Sequence, residues 1–145
     1  MKKLSALFAV LLLGLVSCAN AGEDWLTDFE KAKEEAATRN VPILADFSGS
    51  DWCGWCIRLD NEVFSKSEFK AYAKENVVLF LADFPNSKPQ SAEIKAQNKK
   101  LSNQYGIQGF PTVLLLNADG SVINKTGYQR GGAAAYVEHI KELLK

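Results

Sequence analysis

The sequence is poor in the residues that would settle its chemistry by number alone. It has three cysteines and one histidine in 145 residues. A structural zinc site wants four Cys or His ligands; outside the first twenty residues only Cys53, Cys56 and His139 are available, so one copy cannot close such a site. No metal is expected. There is no excess of basic charge, with 17 basic against 17 acidic residues, and a nucleic-acid-binding chain would need one. There is no internal repeat and no low-complexity stretch. The one long apolar stretch, Leu4 to Val16, has thirteen residues, which is too short to span a bilayer comfortably.

That stretch follows Lys2 and Lys3 and precedes small residues, the pattern of an export signal. Two cleavage sites compete. Ala19-Asn20-Ala21 is an A-x-A site that would leave Gly22 as the first mature residue, with residues 1–21 as signal peptide and 22–145 as the domain. Leu15-Val16-Ser17-Cys18 resembles a bacterial lipobox, in which Cys18 would be lipidated and attach the protein to a membrane. Either route removes Cys18 from thiol chemistry and leaves Cys53 and Cys56. An exported, periplasmic location follows, where disulfides persist. Without Lys2 and Lys3 the balance is 15 basic to 17 acidic residues, a net charge of −2.

The rest alternates helices and strands. "EDWLTDFEKAKEEAATRN" puts Trp25, Leu26, Phe29, Ala32, Ala36 and Ala37 on one helical face. "VPILADF" is a short strand, with Pro42 near its start. Ile57, Leu59, Val63 and Phe64 continue a helix after the cysteines. "SKSEFKAYAKEN" starts another, with a capping box from Ser65 to Glu68 or a cap at Ser67. "VVLFLAD" reads as a strand buried on both faces. "FPNSKPQ" is a loop, and "SAEIKAQNKKLSNQYG" a polar helix stopped near Gly106. "PTVLLLNADGSVINKTG" is a hairpin, and "GAAAYVEHIKELLK" a closing amphipathic helix. The order implies an α/β domain whose central mixed sheet has helices on both faces, ending in a β-hairpin and a helix.

The informative stretch is Ser50-Asp51-Trp52-Cys53-Gly54-Trp55-Cys56. As a staple, a Cys53–Cys56 bridge would do little, since it closes almost the smallest loop and stabilisation grows with loop length. As a redox pair it is well placed. If a helix starts there, Cys53 sits at its N-terminus, where free N–H groups and the helix dipole favour a thiolate. Cys56 lies one turn on along the same face. An exposed first thiol and a shielded second suit attack on a disulfide followed by resolution of the mixed disulfide. Trp52 packs beside the pair. Trp55, between the thiols, is hard to bury and reads as an apolar contact for partners. Arg58 could add positive potential or simply be solvated. His139, alone on the last helix, reads as a surface or hydrogen-bonded residue.

Three stretches together resemble the thioredoxin family: "ILADFSGSDWCGWC", "YGIQGFPT" and "TVLLLNADGSVINKTG", covering most of residues 41–145. The resemblance implies a thioredoxin fold and a thiol–disulfide oxidoreductase acting on client proteins with disulfides or thiols. It implies that Cys53 is the nucleophile and Cys56 the resolving thiol. Pro111 would be a cis-proline facing them, and Phe110 would offer its backbone to a substrate chain. Asp46 would be the buried acid that moves the proton of Cys56. Trp52 and Trp55 would join Phe110 and Pro111 in binding substrate. No cofactor is needed, because the dithiol carries the electrons. A monomer is expected, acting with a membrane or periplasmic redox partner, and the direction leans to reduction. The chain departs from the family in its Gly54-Trp55 dipeptide, in having no lysine in "VVLFLAD", in a longer loop before Ser91 and in a long helix with no clear first strand before the motif. These features look more like small exported thioredoxin-like proteins. The rival is a non-catalytic client-binding module using the apolar surface around Trp55 and Phe110. A glutaredoxin would have T-V-P where this chain has Pro111-Thr112-Val113.

Overall fold

The computed structural model describes residues 24–145. Residues 1–23, with the expected leader, Cys18 and both candidate cleavage sites, lie outside the described residues. Five strands form one mixed sheet in the order β1-β3-β2-β4-β5. In chain order these are β1 (Trp25–Leu26), β2 (Ile43–Ser48), β3 (Val78–Asp83), β4 (Thr112–Leu116) and β5 (Val122–Thr126). The helices are α1 (Phe29–Arg39), α2 (Gly54–Leu59), α3 (Ser67–Asn76), α4 (Ala92–Gln104) and α5 (Gly132–Leu143), with a π-helical turn at Asp60–Phe64 continuing α2. β1, β3 and β2 are parallel, and β2, β4 and β5 antiparallel.

Side chains alternate across a strand, so each central strand feeds both faces of the sheet. Ile43, Ala45 and Phe47 of β2 join Phe80, Leu114 and Leu116 against α1 and α4. Leu44 joins Leu79, Val113 and Leu115 against α2, the π-turn, α3 and α5. Parity therefore turns Asp46 to the same face as Leu44, under the helix that carries the cysteines. Large side chains on both faces are fully buried, among them Phe47, Phe80, Phe69 and Ile140, each worth about 1.5–3 kcal/mol relative to exposure.

Two local expectations fail. Trp25 and Leu26 are not helical. They form a two-residue strand paired with Leu79 and Phe80, and the helix begins only at Phe29. Asp28 stops it from starting earlier, because its extended backbone and side-chain bond to the Lys31 N–H (3.2 Å) make it the N-cap. Trp25 instead packs on Phe64 on the far side of the sheet. A first strand therefore precedes the motif. The Ser65–Glu68 capping box is also absent. Lys66 occupies the cap position of α3 without a side-chain bond, and Ser65 Oγ donates to the Asn61 carbonyl. Ser65 closes the π-turn with helical backbone (φ −80°, ψ −6°), so it is not in the extended conformation of a cap.

The hairpin and the helix stop are as expected. Gly120 adopts a positive φ of 89° in the turn after Asn117, and Gly106 follows α4 at 61°. His139 Nε2 lies 2.8 Å from Thr126 Oγ1, so the lone histidine is a hydrogen-bonded one. Among the described residues no helix is long and apolar enough to cross a membrane.

Candidate functional site

The end of β2 feeds a loop, Gly49 to Trp52, that turns directly into α2. The Gly49 carbonyl accepts the Cys53 N–H at 2.8 Å and the Trp52 N–H at 3.2 Å. A Cβ on Gly49 would lie 2.5 Å from the Trp52 indole, so glycine is what lets that ring fold back over the loop. Trp52 Nε1 donates to the Phe84 carbonyl at 2.8 Å. Below it, Asp83 accepts from Ser50 N–H (3.0 Å) and Ser50 Oγ (2.6 Å). Asp51 accepts the N–H groups of Asn86, Ser87 and Lys88, which hold its carboxyl below the usual range. The extra loop at residues 84–90 is thereby tied to the loop that carries the cysteines.

Cys53 is the N-cap of α2, with an extended backbone, and its Sγ accepts the Cys56 N–H at 3.3 Å. The two sulfurs are bonded, with the Cα atoms 5.2 Å apart. Cys53 is the more accessible of the pair, at 8% against 4% for Cys56, and both are largely covered. Gly49 N–H points to Cys56 Sγ at 3.5 Å. Across from the pair, the Phe110–Pro111 bond is cis and the Phe110 carbonyl oxygen is 3.6 Å from Cys53 Sγ. The sequence-read residues Trp52, Cys53 and Phe110 thus meet around one open groove of ≈ 360 Å³, with Ile107, Gln108 and Gly109. Phe110 stacks on Phe84, with centroids 5.0 Å apart, and meets Trp52 edge-on.

Trp55 lies away from that groove. It is half exposed, as expected for a residue in the turn, but its ring packs on Tyr128 at 5.1 Å. Arg58 lies over both rings and donates to Glu62 at 2.6 Å.

Behind Cys56 is a cavity of ≈ 340 Å³ lined by Asp46, Ser48, Asp60, Phe64 and Lys88, among others. Asp46 is 6% exposed, and its Oδ1 has no hydrogen-bond partner. Burial, then the charges of Asp60 and Asp83, push its pKa from 3.8 up to about 8. The sequence offered no lysine on β3. Lys88, from the extra loop, is the basic side chain lining this cavity among the described residues, and its Nζ donates to Ser50 Oγ at 3.1 Å.

Sequence reasoning missed Asp60, Phe84, Asp83 and Tyr128. Asp60 had a usable signal, since it lies four residues after Cys56 and so one turn down the same face. Phe84, Asp83 and Tyr128 reach the site only through tertiary contacts and carry no local pattern.

A family model described as a thioredoxin-like domain matches residues 29–141. The disulfide bond reductase DsbH of Chlamydia pneumoniae is 35% identical over 127 residues, covering 88% of this chain and 76% of that protein. The thioredoxin-related protein DsbJ of the same organism is 27% identical, spanning 100% of this chain and 46% of its own length. A solved DsbH oxidoreductase structure superposes with a TM-score of 0.79 at 32% identity, covering 96% of this chain and 94% of that one.

Proposed function

Because this chain belongs to the thioredoxin-like family of thiol–disulfide oxidoreductases, we propose that it works outside the cytoplasm as a reductase of protein disulfides. The observation that carries this reading is Cys53 capping a helix beside a cis-proline, with the name of the relative DsbH supporting the direction. Residues 1–21 act as the export signal, cleaved after Ala21, or before Cys18 if the lipobox is used, in which case Cys18 is lipidated as the new N-terminus; residues 22–145 form the working domain.

In the reduced protein, Cys53 ionises, helped by N–H groups at the start of the helical stretch. Its thiolate attacks one sulfur of a client disulfide. A Cys53–client S–S bond forms, the client S–S bond breaks, and the departing client thiolate takes a proton. Asp46 accepts the proton of Cys56 across the cavity, and the new thiolate attacks Cys53 Sγ. The Cys53–Cys56 bond forms and the second client sulfur leaves. Two electrons have passed from the dithiol to the client, and two client thiols result. A base with a pKa near that of a thiol suits this transfer. Phe110 and Pro111 hold the client chain across the groove, with Trp52 as one wall and Trp55 flanking the pair on the other side. A membrane or periplasmic thiol donor must then restore the dithiol.

Equilibration of the purified protein with glutathione buffers tests the direction. A reductase holds its disulfide strongly, so the dithiol should remain fully oxidised until glutathione is in large excess over its disulfide. A pair that is reduced at trace glutathione would mark an oxidant and overturn the reductase reading.

A further inference from the structure

Trp55 is half exposed, yet part of its ring is held in place. Its ring packs on Tyr128, and the Arg58 guanidinium lies 5.4 Å from the centroid of each ring. Glu62 closes the group. It accepts from Arg58 Nε and from the Tyr128 hydroxyl, and these two bonds, the tyrosine's first, hold its carboxyl below the usual range. Tyr128 follows β5 and also packs against the core on the α5 side of the sheet. Four residues therefore tie the turn between the cysteines to a segment some seventy residues away.

We infer that Trp55, Arg58, Glu62 and Tyr128 form a clamp that keeps the first turn of α2 wound when the dithiol is reduced, and so sets how strongly the pair closes to the disulfide. This rests on the oxidoreductase reading of Cys53 and Cys56. α2 has six residues before the π-turn, too few to hold a helix by its own bonds. In the oxidised protein the S–S bond fixes the turn. In the reduced protein that bond is gone, and the turn is left to its few hydrogen bonds and to packing. By holding Cys56 Sγ against Cys53 Sγ, the clamp raises the effective concentration of one thiol at the other. Oxidation breaks two S–H bonds, forms one S–S bond and passes two electrons and two protons to glutathione disulfide, giving two glutathione molecules. A wound turn favours that direction and makes the dithiol the stronger reductant. Arg58, Glu62 and Tyr128 are positioning residues, acting on the sulfurs only through the turn.

The test is the equilibrium constant of each variant in glutathione buffers, read by acid quench, alkylation and mass spectrometry. Tyr128→Ala and Arg58→Met should each lower the constant for disulfide formation about tenfold, a potential about 30 mV less negative. Tyr128→Phe keeps the ring and should stay within roughly threefold of the parent. If Tyr128→Ala does not fold, Arg58→Met decides, because Arg58 is half exposed. A folded Arg58→Met whose constant is unchanged overturns the clamp. So does one whose constant rises, for that would mean Arg58 acts by stabilising the Cys53 thiolate. An oxidising parent protein would sink the reductase reading instead, and the comparison of variants would still judge the clamp.

Discussion

Cys53→Ser should abolish reduction of an insulin-type disulfide, with a loss of more than about a thousandfold, while leaving the fold intact. The serine hydroxyl can take the same cap position and accept the same Cys56 N–H, so thermal unfolding of the reduced protein should change little. What would be lost is the sulfur proposed to attack the client. Cys56→Ser should behave differently. The client is still captured, but nothing displaces it, and a stable mixed disulfide through Cys53 should accumulate on a non-reducing gel. If Cys53→Ser kept its reductase activity, a client-binding role with incidental cysteines would be the better reading. Client binding that survives in Cys53→Ser while reduction vanishes would show capture and chemistry to be separate properties of one surface.

Asp46→Asn should make the oxidised protein more stable at pH 8 and no more stable at pH 4. The folded-state pKa of Asp46 is about 8, above its ordinary 3.8, so the folded state keeps a proton that the unfolded chain gives up. Its effect on stability is therefore absent at low pH and grows as pH rises between those two values, always against the folded state. By pH 8 it amounts to something on the order of 5 kcal/mol. Asparagine cannot ionise, so the substitution removes that slope. Thermal midpoints at pH 4 and pH 8 measure it. Asp60→Asn takes away a neighbouring negative charge and should move the Asp46 midpoint down. The cost of Asp46→Asn should appear in kinetics. Without a proton acceptor behind Cys56, release of the mixed disulfide should slow by about a hundredfold. A pH-independent gain in stability, or unchanged release, would remove Asp46 from the proton path.

Much of this site was legible in the sequence because its signals are local. Cys53 and Cys56 follow a strand and precede a helical pattern, so their cap and one-turn relation could be inferred from spacing. Asp46 and Pro111 came only through the family resemblance, since nothing in their immediate neighbours marks one as a buried acid or the other as facing the cysteines. Trp25 and Leu26 were misread because their spacing to Phe29 also fits a helical face, and two residues are too few to show the alternation of a strand. What the sequence could not carry was the set of contacts between distant segments. Asp51 gathers three backbone N–H groups from residues 86–88, Phe84 stacks on Phe110, and Tyr128 meets Glu62. The missing lysine on β3 is a related case. The cavity behind Cys56 does have a basic side chain, but it is Lys88, from the inserted loop. The strand where the family keeps its lysine gives no hint of that.

The most direct test is the rate at which the reduced protein is alkylated, followed against pH with the modified sulfur identified by mass spectrometry. Cys53 should react first, with a midpoint below the value of about 8.5 for free cysteine, while Cys56 stays protected. Should Cys56 react first, or Cys53 ionise no more readily than cysteine in an unstructured peptide, the first sulfur is not the activated nucleophile.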